Sequence, residues 1–255
     1  LGEWRAPPLL SHSGRVQLRL WVPGCLLAFS LAAMAQAPVW EHAGPAGLVG
    51  GPIEALVEAN PASPGVLLAS GAGGVWQSAG SEWGALSDGA SISALAVTGS
   101  GAIYAGTGDL HGARLRGGTG VQFSQDGGAT WTVLGGSALT GLAVSQVLVN
   151  PGDPQQVWAA TVTTDDASAA AQPGVYESVD GGESWTLALP APACDLALAR
   201  TRLLAMGSST LSLATSGGPF APLTRPSQPA SWVSAGAVAQ PDGRFLVALV
   251  LLTGG

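Results

Sequence analysis

Two eight-residue stretches of the chain share the pattern Ser-x-Asp-Gly-Gly-x-Thr/Ser-Trp. They read SQDGGATW at 124–131 and SVDGGESW at 178–185, fifty-four residues apart. Glycine adopts positive φ without a Cβ clash, and an Asp side chain accepts hydrogen bonds from nearby backbone N–H groups, so Asp-Gly-Gly favours a tight turn. β-forming residues flank both stretches. The pattern therefore predicts two β-hairpins, each with a tryptophan that packs against a neighbouring layer.

A longer repeat surrounds these turns. A strand, a turn rich in Pro, Asp or Gly, and a second strand ending in small residues recur at 56–71, 94–108, 147–162, 196–209 and 237–250. With Leu68, Tyr104, Trp158, Leu204 and Val247 taken as equivalent, the steps are 36, 54, 46 and 43 residues. Repeats of about 40–50 residues with four short strands each predict the blades of a β-propeller.

The two stretches resemble the Asp-box, or BNR repeat, whose pattern is Ser-x-Asp-x-Gly-x-Thr-Trp. The resemblance implies that each stretch joins the third and fourth strands of a propeller blade. The residues implied to hold these turns are Ser124, Asp126, Gly128, Trp131, Ser178, Asp180, Gly182 and Trp185. Asp126 and Asp180 are accordingly interpreted as structural and not as catalytic acids. We expect an all-β propeller of four-stranded antiparallel blades, with about four and a half blades and an incomplete ring.

The repeat also predicts domain boundaries. Residues 53–255 are expected to form the partial propeller, with blades at about 53–87, 92–137, 142–190 and 193–227 and an incomplete fifth at 231–255. Because closing a propeller ring removes free sheet edges, half a blade favours the N-terminal part of a larger ring. The alternative is a complete small propeller in which an N-terminal strand closes the last blade.

Residues 1–35 have the pattern of a leader and signal peptide, and residues 36–52 are an N-terminal extension. Two arginines precede the apolar run LWVPGCLLAFSLAAMA, which ends in an Ala-x-Ala site and predicts cleavage after Ala35. Cleavage after Ala37 also fits, but it would leave proline at the first mature position. The run is somewhat short for a membrane span of about 20 residues. We expect a secreted, extracellular or periplasmic protein, with an uncleaved anchor as the alternative.

Charge and cysteine content exclude several partners. Residues 1–35 hold three of the nine basic and one of the sixteen acidic residues, so the remainder has a net charge of −9. Nucleic acids and anionic membranes bind clustered cations, and we expect neither as a partner after signal cleavage. Cys25 lies in the signal segment and Cys194 is alone, which excludes an intrachain disulfide and a cysteine zinc site. No cofactor and no metal ion is expected.

Two long loops connect second to third strands, at the end of the blades opposite the boxes. Long loops on a rigid scaffold commonly carry binding groups. The loop at 108–119 contains the ligand-binding candidates Asp109, His111, Arg114 and Arg116. Forked guanidinium donors suit a carboxylate, sugar or peptide. The alternative is a solvated loop whose charges pair loosely with one another.

The second loop, at 163–173, contains the candidates Asp165 and Asp166. Adjacent carboxylates suit a paired acid or a corner that binds calcium. The alternative is a pair of solvated acids in a loop rich in Ala, Ser and Thr.

Proteins with the Asp-box include sialidases, xyloglucanase-type glycoside hydrolases, sortilin-type receptors and a photosystem assembly factor, so the resemblance identifies blades and not an activity. A sialidase would require three substrate-binding arginines and a Tyr/Glu pair, which this chain matches poorly. The xyloglucanase type implies an acid where this chain has Ala72, and Asp109 is the candidate to replace it. We expect a secreted module that binds or scaffolds carbohydrate or protein on the loop face opposite the boxes. The alternative is the N-terminal portion of a xyloglucanase-type glycoside hydrolase.

Overall fold

The structure is a computed structural model. It describes residues 53–60, 65–79, 82–87, 89–111, 114–167, 172–207, 210–215, 218–223, 232–240 and 242–251. The predicted signal peptide, its cleavage site and the N-terminal extension lie outside these residues.

Four successive segments each fold into a four-stranded antiparallel sheet whose strands follow chain order. The first sheet contains β1 (Ile53–Glu58), β2 (Leu67–Gly71), β3 (Gly74–Ala79) and β4 (Glu82–Ala85). The second contains β5 (Ile92–Val97), β6 (Ile103–Asp109), β7 (Arg116–Ser124) and β8 (Thr132–Leu134). The third contains β9 (Ala143–Asn150), β10 (Asp153–Val162), β11 (Val175–Ser178) and β12 (Thr186–Leu189). The fourth contains β13 (Asp195–Ala199), β14 (Arg202–Met206), β15 (Leu211–Thr215) and β16 (Ala221–Pro222), and a two-stranded sheet of β17 (Trp232–Ala239) and β18 (Phe245–Leu251) follows.

The first strands of successive sheets contact one another, β1 with β5, β5 with β9, β9 with β13 and β13 with β17. Sheets that meet along their first strands are blades around an axis, with each later strand farther out. Among the strands that the structure describes, no contact of comparable extent joins β1 to β17, so the arc is open. The expected fold is confirmed: a β-propeller with four complete blades, a two-stranded fifth and an incomplete ring.

The core lies between adjacent blades, because the facing sheets of neighbouring blades bury each other's apolar side chains. Leu68 packs in the cluster between blades one and two, Tyr104 in the cluster between two and three, and Trp158 in the cluster between three and four. Leu204 lines a cleft together with Phe245 of β18. These four residues, taken as equivalent in the sequence, all lie on the second strand of a blade and face the next blade.

A short helix, α1 (Gly136–Leu139), precedes blade three and is an element that the strand pattern did not predict. Gly135 and Gly136 adopt positive φ at its start, and Leu139 is fully buried in the cluster between blades two and three. The helix therefore fills an inter-blade gap with Leu139, and Ala138 packs against the same cluster.

The first strands of blades one to three share a β-bulge near their start. In blades two and three the bulged residue is a serine: Ser93 donates its hydroxyl proton to the Val144 carbonyl (2.6 Å), and Ser145 donates to the Ala193 carbonyl (2.6 Å). Each hydroxyl thus joins its blade to the next. In blade one the bulged residue is Glu54.

Candidate binding site on the loop rim

The first Asp-Gly-Gly turn joins β7 to β8, the third and fourth strands of blade two. Asp126 accepts hydrogen bonds from the Ser124 hydroxyl (2.8 Å), the Thr130 N–H (2.8 Å) and the Thr130 hydroxyl (2.7 Å). The Ser124 oxygen in turn accepts the Gly128 N–H (2.7 Å), and the Trp131 indole donates to the Gly128 carbonyl (3.0 Å). The carboxylate is therefore fully engaged within its own turn.

The second turn, between β11 and β12 of blade three, repeats this network. Asp180 accepts hydrogen bonds from the Ser178 hydroxyl (2.7 Å) and from the Ser184 N–H (2.9 Å) and hydroxyl (2.5 Å). The Gly182 N–H donates to the Ser178 oxygen (2.7 Å), and the Trp185 indole donates to the Gly182 carbonyl (2.8 Å).

Both turns also dock on the preceding blade. The second glycine of each turn has positive φ, and a Cβ there would lie 2.7 Å from Leu86 at Gly128 and 2.9 Å from Leu134 at Gly182. The Trp131 indole also approaches the Leu86 carbonyl (3.3 Å). Both turns lie at the same rim of the propeller, where the third strand of a blade meets the fourth, and we call it the turn rim. The contacts with Leu86 and Leu134 hold adjacent blades together.

We expect the two turns to make the stability of the folded protein depend on pH in the acidic range. Hydrogen bonds from the hydroxyl and N–H of Thr130 and of Ser184 lower the pKa of Asp126 and of Asp180 to about 2, below the ordinary 3.8. Stabilisation by the ionised carboxylates is therefore present above pH 3.8 and is lost as the pH falls through about 2. The double variant Asp126→Asn/Asp180→Asn should be less stable at neutral pH, and its melting temperature should change less with pH across this window.

Thermal melts by circular dichroism at a series of acidic pH values measure this effect. Asp153→Asn is the matched control, since Asp153 is an exposed carboxylate at the first residue of β10. If the melting temperature of the double variant changed with pH as that of the unmodified protein does, Asp126 and Asp180 would not be the source of the pH dependence.

The structure places Asp165 and Asp166 against the backbone of blade two. Asp165 accepts the Leu115 N–H (3.1 Å) and donates its own N–H to the Leu115 carbonyl (3.0 Å), and Asp166 accepts the Gly117 N–H (2.8 Å). The Gly117 N–H, followed by the Thr164 hydroxyl, lowers the pKa of the Asp166 carboxyl. Both acids thus brace the segment that enters β7.

A cavity of about 420 Å³ lies at the second-to-third strand end of blade two, which we call the loop rim. Glycine backbone forms much of its wall. Its polar side chains are Ser91, Thr107, Asp109, Arg116, Thr119 and Gln122. Asp109, half-buried, and Arg116, exposed, are opposite each other on β6 and β7. Two of the four predicted loop candidates therefore line one cavity.

Close backbone packing shapes this cavity. The Thr107 hydroxyl donates to the Gly120 carbonyl (2.6 Å) and accepts the N–H groups of Thr119 (2.9 Å) and Gly120 (3.0 Å). A Cβ at Gly118 would overlap this hydroxyl, and one at Gly117 would overlap the Gly141 backbone of the next blade. The run of glycines after Arg116 is therefore required by the approach of β6 and of blade three.

His111 lies beside the cavity. Its N–H donates to Asp109 Oδ1 (3.1 Å), and its Nδ1 lies 2.5 Å from Glu54 Oε2. The His111 side chain is 59% exposed, whereas that of Glu54 is 7% exposed. Arg114 is exposed on the same loop. Glu54 is not among the candidates predicted from the sequence, although an acid stands there at the bulge position where the next two blades have serine.

A second cavity, of about 380 Å³, lies on the turn rim between blades two and three. Val97, Val149, Pro151 and Pro154 contribute to a mainly apolar wall, and none of the described residues that line it has an ionisable side chain. It offers fewer groups for recognition or chemistry than the cavity on the loop rim.

Across the described ranges, no three His, Cys, Asp or Glu side chains are grouped so that they could hold a metal ion. In that part of the chain there is also no helix long and apolar enough to cross a membrane.

No protein-family model matches the sequence, and no curated protein sequence matches it. Among solved structures, an ancestral GH74 enzyme is similar at 17% identity over 75% of this chain and 28% of its own, with a TM-score of 0.58. YCF48 bound to D1 peptide is similar at 12% identity over 78% of this chain and 60% of its own, with a TM-score of 0.53. The GH74 xyloglucanase from Xanthomonas campestris shares 19% identity over 65% of this chain and 29% of its own, with a TM-score of 0.49.

This chain thus spans less than a third of the length of either GH74 enzyme and about three fifths of the YCF48 chain. At these identities, similarity is informative about architecture and not about activity. The likeness to the ancestral GH74 enzyme and to YCF48 shows that this chain has the fold of a β-propeller.

Proposed function

We propose that this protein is a secreted Asp-box β-propeller module that binds carbohydrate in the cavity on the loop rim of blade two. The observation that carries the proposal is the lining of this cavity. Within the described part of the chain, one carboxylate, one guanidinium and four neutral hydroxyl or amide side chains surround it. Such a lining has no excess charge and can both donate and accept hydrogen bonds, which matches the hydroxyl groups of a neutral sugar.

A peptide ligand is supported less well. The cavity volume lies within the range of about 300–1,000 Å³ typical of small-ligand sites. Its lining is glycine backbone and polar side chains, and Ala90 is the one apolar side chain among the described residues that line it. Peptide and protein partners usually bind through buried aromatic or aliphatic anchors, which need an apolar pocket.

Two further parts of the proposal rest on separate observations. The assignment of the Asp-box is supported by the matching hydrogen-bond networks of Asp126 and Asp180. Secretion is supported by the sequence pattern of residues 1–35 alone.

Affinity electrophoresis in gels containing soluble xyloglucan, arabinan or polygalacturonate tests the binding proposal. We expect the protein to be retarded by a neutral polysaccharide and not by the acidic one. Asp109→Asn and Arg116→Met should each weaken binding by about tenfold, because each removes a charge-assisted hydrogen bond of about 1.5 kcal/mol.

Glu183→Gln, a change at an exposed acid of the turn rim, is the control and should leave retardation unchanged. Migration that neither neutral polysaccharide alters would contradict the proposal. So would equal retardation of Asp109→Asn, Arg116→Met and the unmodified protein.

The alternative is the N-terminal portion of a xyloglucanase-type glycoside hydrolase. It is favoured by one observation, the half-buried carboxylate of Asp109 in the cavity wall. Glycosidases generally need a second carboxylate across the scissile bond. Among the residues that the structure describes, Asp109 is the one acid lining this cavity. Release of reducing ends from xyloglucan that is lost in Asp109→Asn would support hydrolysis over binding.

A further inference from the structure

The bulge at the start of the first strand differs between blade one and the next two blades. Ser93 and Ser145 each reach a backbone carbonyl of the following blade with a short hydroxyl. Glu54 occupies the same place in blade one with a longer, acidic side chain. Its carboxylate reaches past the strands to His111, on the loop between β6 and β7 of blade two.

Burial makes this carboxylate dependent on its partner. The Glu54 side chain is only 7% exposed, and an unpaired buried carboxylate is strongly unfavourable. His111 Nδ1, 2.5 Å away, supplies the compensating contact. A serine at this position would join the blades without burying a charge, so the requirement for an inter-blade contact does not by itself explain the glutamate.

The contact with Glu54 determines which ring nitrogen of His111 can bind a ligand. An ionised carboxylate only accepts hydrogen bonds, so Nδ1 must carry the proton that is shared with Glu54. In the neutral imidazole, Nε2 is then an acceptor. The ring is 59% exposed, and its backbone N–H is bound to Asp109, which lines the cavity. The His111 backbone is therefore bonded to a residue of the cavity wall, and its exposed ring carries an acceptor nitrogen whose orientation the contact with Glu54 restricts.

We infer that Glu54 is a positioning residue for His111, and that His111 Nε2 accepts a hydrogen bond from a sugar hydroxyl at the edge of the loop-rim cavity. The inference rests on the proposed function for its ligand class. It extends the site from blade two to blade one and adds to it a neutral acceptor held by a buried acid.

Nitrogen-15 NMR of the full chain labelled at histidine tests the pairing without a ligand. The chain has three histidines, and His111→Asn identifies the signal of interest. Spectra are recorded over a series of alkaline pH values, because the shifts of the two nitrogens of a neutral imidazole report its tautomer. We expect the proton on Nδ1 in the unmodified protein and in Glu54→Gln, whose amide oxygen still accepts. In Glu54→Leu the proton should move to Nε2, the tautomer that free histidine prefers.

A titration with xyloglucan heptasaccharide tests the recognition role. The Nε2 signal should shift in the unmodified protein, and Glu54→Leu should bind about tenfold more weakly, as expected for one lost hydrogen bond. Glu54→Gln should restore binding to within about threefold, because it keeps the acceptor for Nδ1. Glu58→Gln is the matched control, since Glu58 is an exposed acid on the same strand and should not alter affinity.

The outcomes separate this inference from the proposed function. A proton on Nε2 in the unmodified protein overturns the pairing. If affinity for the heptasaccharide falls in Asp109→Asn but not in Glu54→Leu, the sugar site is supported and the inference is overturned. Glu54 would then be a structural contact without a role in binding. Absence of any heptasaccharide-induced shift in the unmodified protein, together with unretarded migration in both neutral polysaccharides, rejects the proposed function itself.

Discussion

Replacing Trp158 by alanine is expected to lower the free energy of unfolding by about 3–5 kcal/mol. Trp158 lies in the middle of β10, is 2% exposed, and packs in the cluster that joins blades three and four. Leu196 and Leu203 of blade four contact the same cluster. Truncation leaves a cavity between two sheets that cannot easily collapse, since their strands are held by backbone hydrogen bonds on both sides.

Urea denaturation followed by far-ultraviolet circular dichroism measures this loss, because that signal does not depend on the removed indole. Val133→Ala is the control: Val133 is 53% exposed on β8, and a surface change of this kind alters stability by about 0.5 kcal/mol or less. Equal loss in the two variants would show that the inter-blade cluster around Trp158 contributes little to stability.

Gly118→Ala is expected to damage both stability and binding. An added Cβ would overlap the Thr107 hydroxyl and lie 2.5 Å from the Thr107 carbonyl carbon, so β6 and β7 must separate at the cavity. Overpacking of this kind costs about 1–3 kcal/mol. The shift also displaces Thr107 and Thr119, which line the cavity, and retardation by neutral polysaccharide should be lost.

Gly84→Ala is the matched control, because a Cβ at Gly84 would meet no atom of the described residues within 4 Å and its backbone does not have positive φ. The stability of both variants is measured by urea denaturation and their binding by affinity electrophoresis. Normal binding by a Gly118→Ala protein of lowered stability would place the sugar site elsewhere on the molecule. Unchanged stability would contradict the close approach of β6 and β7.

The blades could be predicted from the sequence because their signals are local. The Asp-Gly-Gly turns need residues within one hairpin, as the bonds of Asp126 to Ser124 and Thr130 illustrate. Strand periodicity is equally local, and it placed Trp158 correctly on the second strand of a blade. Helix α1 was not predicted, because four residues are too few for a helical pattern to be distinguished from a turn.

The candidate site could be predicted only in part. Asp109 and Arg116 were selected because charge in a long loop is visible in the sequence, and both line the cavity. Asp165 and Asp166 have the same signal, yet their carboxylates bind the backbone of the neighbouring blade. The composition of the two loops cannot distinguish a cavity-lining charge from one that binds backbone. The difference depends on whether the loop faces an open cavity or the neighbouring blade.

The sequence by itself determined that this chain builds four-stranded repeats with braced hairpin turns, because those features depend on neighbouring residues and on the two-residue period of a strand. Only the tertiary structure decided that Glu54 of blade one contacts His111 of blade two. It also decided that Gly118 leaves room for strand β6 and that Gly117 leaves room for the backbone of blade three. Contacts between blades depend on the angle and separation at which whole sheets pack. Those quantities are set by the summed burial of many side chains and leave no local pattern to read.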